Sequence, residues 1–108
     1  MDKPEAIWLV ICNCPEEAVA RQLATGVINE RLAACVNLLP AVESIYRWEG
    51  RLELAREIPL LIKTPARNYP ALQDWLHAHH PYDVPEIIAL PLGAGLPAYL
   101  DWVSSCTR

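Results

Sequence analysis

The chain has 108 residues, 53 % of them hydrophobic, with 9 Lys and Arg against 13 Asp and Glu and a net charge of −4. That length suits a single domain over residues 1–108. The basic residues are scattered singly, which excludes the cationic stripe that nucleic acid requires, and no apolar run approaches the roughly 20 residues of a membrane span.

The opening "MDKPEAIWLVIC" places two acids before its apolar run, has no small-residue cleavage site and reads as a leader-less start. "AIWLVICNC" (6–14) is a continuous apolar run rich in β-branched residues, the pattern of a strand covered on both faces. A helix follows in "NCPEEAVARQLATGVINERL", with Pro15 at its first position, Glu16 and Glu17 at its positive end, and Val19, Leu23 and Val27 along one stripe. Residues 33–64 read as two long strands around a turn at Glu49-Gly50, interrupted by Pro40 and Pro59. "PARNYPALQDWLHAHH" (65–80) repeats Tyr69, Leu72 and Leu76 at helical spacing, "VPEIIALPL" (84–92) is a strand, and "GAGLPAYLDWVSSC" is a short C-terminal helix entered through Pro97.

The order β-α-β-β-α-β with a final helix predicts an α+β, ferredoxin-like sandwich: one sheet with two helices on one face. The other face lacks helices of its own, and bare apolar faces are usually covered by a partner. Phe is absent, whereas Trp and Tyr number four each, and their amphipathic rings suit interfaces. A homo-oligomer is expected. Four cysteines could form two disulfides, but a well-filled core does not need them, so reduced thiols in the cytoplasm are expected.

The three histidines crowd into "HAHHPYDVPE" (77–86). One reading has them complementing a helix C-terminus that Pro81 then stops. The other has them holding a metal, which neighbours diverging by about 100° on a helix do only where the helix unwinds. "CNC" (Cys12, Cys14) ends the first strand with both thiols on one face. Thiolate with imidazole suits copper or zinc, although buried cysteines also serve as small hydrophobes. Cys35 reads as core and Cys106 as incidental. Trp48 at the hairpin tip, Lys63 at a strand end, Tyr82 and Glu86 are candidates for a polar and aromatic cleft, against the plainer reading of a solvated turn and an exposed lysine. No G-x-S-x-G, P-loop or glycine-rich dinucleotide turn is present, so no enzyme is expected.

The motifs "ERLAACVNLLP", "SIYRWEG", "LLIKT", "HHPYDVPEIIALP" and "GLPAYLDW", in that order, resemble the CutA divalent-cation tolerance family over roughly residues 6 to 103. The resemblance implies a ferredoxin-like protomer in a tight cytoplasmic homotrimer, with a role in tolerance to divalent metals and to copper above all, zinc or another divalent cation being the alternative. It implies copper ligands at Cys12, His79 and His80, the cysteine ending the first strand and the histidine pair before "PY". Many relatives keep only the histidine equivalent to His80. Cys14 departs from that pattern and stands as a fourth ligand or a spectator. The likeness of such trimers to PII signalling proteins implies a second function: a small-molecule sensor or scaffold using an intersubunit cleft lined by Trp48, Lys63, Tyr82 and Glu86.

Overall fold

The computed structural model describes residues 5–108; residues 1–4, on which part of the leader-less reading rests, lie outside the described residues. The elements run β1 (Ile7–Cys14), α1 (Glu17–Asn29), β2 (Cys35–Leu38), β3 (Val42–Trp48), β4 (Arg51–Pro65), α2 (Tyr69–His79), β5 (Ile87–Pro91) and α3 (Pro97–Ser105). The sheet order is β2-β4-β1-β5, β3 also pairs with β4, and every pairing is antiparallel. This is the ferredoxin-like arrangement, with its first hairpin strand broken in two.

Proline decides where that break falls. Pro40 lies between β2 and β3, whereas β4 runs unbroken through Pro59. The Pro59 carbonyl accepts from the Leu39 N–H at 3.0 Å. In an antiparallel ladder a residue's N and C=O point to the same edge. The missing N–H of Pro59 therefore faces the gap between β2 and β3, where no ladder bond is lost. At the tip, Glu49 and Gly50 both have positive φ, 49° and 78°, the geometry of a two-residue type I′ turn that follows the strand twist.

Helix α1 starts later than its proline suggests. Glu16 is the N-cap, so Pro15 stands just outside. Its C-terminus is a Schellman cap: Leu32 N–H bonds the Val27 carbonyl and Arg31 N–H bonds that of Ile28. Arg31 takes the left-handed position, φ 58°, that glycine usually fills. Gly26 faces α2, where an added Cβ would lie 2.2 Å from the Trp75 ring.

Alternation along β1 sends Val10, Cys12 and Cys14 into the core with Leu23, Val27, Leu60, Ile62, Leu72 and Leu76. Each fully buried aliphatic side chain contributes about 1.5–3 kcal/mol. The second face is not wholly bare: α3 packs on β4 and β1, and Tyr99 reaches Cys35. Ile88 and Leu90 remain exposed, as do Ile45, Leu52 and Leu54 on the hairpin. That hairpin stretches the molecule to 53 × 26 × 23 Å. Among the described residues, no helix is long and apolar enough to cross a membrane.

Candidate metal centre and adjoining cavity

The pleat of β1 aims Cys12 and Cys14 at the same side, and the end of α2 brings His80 onto them. Their Sγ atoms and a ring nitrogen of His80 lie within 4.8 Å of one another, and all three residues are buried. His80 reaches this position because it is not helical. It is the C-cap of α2, with φ −80° and ψ 140°, as expected of a residue ahead of proline. Its Nε2–H donates to the Asn13 carbonyl at 2.8 Å, and its Nδ1 accepts from the Tyr82 N–H at 3.1 Å. Together these bonds fix the neutral tautomer with the proton on Nε2.

His79, still helical, goes elsewhere. Its Nδ1–H donates to the Trp75 carbonyl at 2.7 Å, and its ring stacks on Trp75 at 3.9 Å. Of the predicted set Cys12, His79 and His80, the structure thus brings Cys12 and His80 together, leaves His79 exposed outside the cluster, and adds Cys14. His77 donates from Nε2 to the Asp83 carbonyl at 3.0 Å and ties down the α2–β5 loop.

The two thiols are shifted in opposite directions. Cys12 is pushed far above the ordinary thiol range, chiefly by its hydrogen bond to Cys14, then by burial and the charges of Cys14, Glu86 and Glu57. Cys14 is held below that range because it receives the bond from Cys12, against the opposing effects of burial and Glu57. The hydrogen bond therefore runs from the Cys12 thiol to the Cys14 sulfur. Two thiolates flanking one ion at about 2.3 Å each stand at most about 4.6 Å apart, so the cluster fits a soft cation after a small contraction. Ligation through Nδ1 would take the place of the bond from Tyr82 N–H and leave the Nε2–H bond to Asn13 as the orienting contact behind the ligand.

Beside the cluster lies a cavity of about 460 Å³ between the hairpin and the α2–β5 loop. Trp48, Tyr82 and Glu86, all predicted for a cleft, line it, joined by Tyr46, Glu57 and Asp83. Lys63 does not belong here. It pairs across the ladder with Cys35, its Nζ bonds the Asn37 side chain and lies 3.9 Å from the Cys35 sulfur. Glu57 escaped the sequence reading, and its register opposite Val42, on the same hairpin face as Tyr46 and Trp48, was the available signal. Tyr82 joins cavity to cluster, its ring 4.9 Å from that of His80.

Residues 8–106 match the family described as "CutA1 divalent ion tolerance protein". The chain is similar to the divalent-cation tolerance protein CutA of Salmonella newport (strain SL254), 45 % identical over 105 residues covering 97 % of this chain and 90 % of that protein. It is 44 % identical to Protein CutA of Mus musculus over 97 % of this chain, but spans only 59 % of that relative's length. Among solved structures, the divalent cation tolerance protein (Cut A1) of Thermus thermophilus superposes with a TM-score of 0.92 at 45 % identity, over 94 % of this chain and 99 % of the other. CutA1 of Oryza sativa does so with a TM-score of 0.94 at 41 % identity, over 97 % and 96 %.

Proposed function

The chain belongs to the CutA1 divalent ion tolerance family, and from that premise we propose that it is a non-enzymatic, copper-binding protein that acts in metal tolerance as a cytoplasmic homotrimer. One observation carries the metal reading: two buried thiols and a buried imidazole converge within 4.8 Å. Cys12, Cys14 and His80 would hold the ion, which suits this soft donor set when it is Cu(I), with Zn(II) as its competitor. The protein's own contribution is to present a preoriented imidazole and a thiol pair in which Cys14 yields its proton more readily than an ordinary thiol. Support for the oligomer comes from the exposed Ile45, Leu52 and Leu54 on the hairpin and Ile88 and Leu90 on β5, more apolar surface than a lone protomer ordinarily leaves wet.

Calorimetric titration of reduced, metal-free protein with Cu(I) and Zn(II) tests the metal reading. One tight ion per protomer, lost in Cys12→Ser and weakened in Cys14→Ser, is the expected result. Unaltered binding in both variants would rule these ligands out. Light scattering on the same samples should return three times the protomer mass of 12.1 kDa, falling when Leu52 and Leu54 are both replaced by Glu.

A second reading, a small-molecule sensor, is favoured by the cavity that Trp48, Tyr82 and Glu86 help to line. Its volume lies within the range of ordinary ligand sites, about 300–1,000 Å³.

A further inference from the structure

The cavity has a definite chemical character. Three of its lining residues are aromatic (Tyr46, Trp48 and Tyr82) and three are acidic (Glu57, Asp83 and Glu86), with no Lys, Arg or His among them. The walls are built before any ligand arrives. On the hairpin side, the β3–β4 register places Tyr46, Trp48 and Glu57 on one face. On the loop side, the bond from His77 to the Asp83 carbonyl and the bond from Tyr82 N–H to His80 hold the backbone in place.

Glu57 is the decisive residue. Only 8 % of it is exposed, and among the described residues its carboxylate has neither a hydrogen bond nor an ion pair. Its oxygens are not sealed from solvent but open onto the cavity, where a positive charge entering among the rings would meet them. The space it borders is the cavity. A bare metal ion is not that charge: among the described residues, only Cys12, Cys14 and His80 bring three ligand atoms within 4.8 Å of one another. The three cavity carboxylates are not gathered closely enough to share an ion that bonds oxygen at about 2.0–2.6 Å. The cation must be larger, and rings that flank a cationic head supply attraction through their faces.

We propose that this cavity binds a small organic cation with a substituted ammonium head, seated among Tyr46, Trp48 and Tyr82 and neutralised by Glu57. The assignment rests on the sensor reading of the cavity and gives that reading a ligand class. It is independent of the thiol cluster, because no cysteine takes part.

The test uses the full chain, metal-free in the presence of chelator, titrated with choline and with its neutral isostere 3,3-dimethylbutan-1-ol. Calorimetry is read alongside the NMR signal of the Trp48 indole. Choline is expected to bind once per protomer and roughly tenfold more tightly than the alcohol, the scale of a desolvated cation–ring contact with a counter-charge. Glu57→Gln should lose about that factor while unfolding no earlier than wild type, since the carboxylate makes no hydrogen bond or ion pair among the described residues that the change would break. Trp48→Ala should lose a similar factor and Trp48→Phe should restore most of it. Equal binding of choline and the alcohol would overturn the cation assignment while leaving a ligand site. No binding of either at millimolar concentration would overturn both the assignment and the sensor reading. A Trp48 signal that moves on dilution but not with choline would mean that a second copy of the chain fills the cavity, and would likewise overturn the proposal.

Discussion

His80 and Asn13 are 67 residues apart in sequence, yet the imidazole Nε2–H of one donates to the main-chain carbonyl of the other at 2.8 Å. That single bond pins the end of α2 between the two cysteines of β1. It also separates His80 from its neighbour His79, which is bonded back to Trp75 within its own helix.

The two histidines should therefore differ in substitution. His80→Ala removes a buried residue with both ring nitrogens bonded, and should cost about 1–3 kcal/mol of stability together with most of the metal affinity. His79→Ala should leave metal affinity within about twofold, because its ring lies outside the cluster. Paired titrations and thermal melts of the two variants check this, and equal losses of affinity would return His79 to the ligand set.

The thiol pair predicts a particular pH dependence for the metal-free protein. Cys14 is held below the ordinary thiol value of 9.0, so its contribution to stability grows as pH rises toward that value. Cys12 is held above it, so its contribution is complete below about 9 and is withdrawn as pH climbs further. Wild type relative to a double Cys12→Ser, Cys14→Ser variant should thus be most stabilised near pH 9, measured by denaturant melts from pH 6 to about 11. A difference flat across that range would contradict these opposed shifts. Metal binding should also release protons, because the ligating form of Cys12 is the thiolate.

Gly26 should tolerate no side chain. A Cβ there would meet the Trp75 ring at 2.2 Å, so Gly26→Ala, normally favourable in a helix, should instead destabilise by about 1–3 kcal/mol through overpacking. Chemical denaturation decides the sign, and a gain in stability would mean that Trp75 moves aside at little cost.

Arg31 offers the opposite opportunity. Its left-handed backbone costs an ordinary residue about 1–2 kcal/mol that glycine avoids, less the greater freedom glycine has when unfolded. Arg31→Gly should raise stability by about 0.5–1 kcal/mol, a few degrees in Tm for a chain this size. The Schellman bonds at Leu32 and Arg31 are main-chain and survive the change. A lower Tm would show that the arginine side chain contributes more than the backbone strain removes.

The strands and helices were legible from runs and periods: a continuous apolar run marked β1, although its core face emerged only in the folded alternation of burial, and Leu72 and Leu76 set the core face of α2. What was not legible depended on contacts between distant segments. Pro59 reads as a strand breaker until its ring nitrogen is seen to face the gap left by Pro40. Gly26 reads as a weakness in a helix until Trp75 is placed over it. At the cluster, the clue was local: Pro81 forces His80 out of the helix, and the same step that ends α2 turns one histidine inward and leaves the other out. Lys63 was grouped with the cleft on chain position alone, and its ladder partner Cys35 lies on another part of the sheet.

The anchor for His80 is a carbonyl of the main chain and not a side chain, so what specifies the imidazole's direction is the register of β1. A one-residue slip of that strand would turn both thiols to the opposite face and carry the Asn13 carbonyl away with them. Few misregistered forms could gather all three donors. Stoichiometric uptake of a soft ion, read from its thiolate charge-transfer absorption, would then serve as an audit of strand pairing, separating correctly folded molecules from compact ones that have only their secondary structure right.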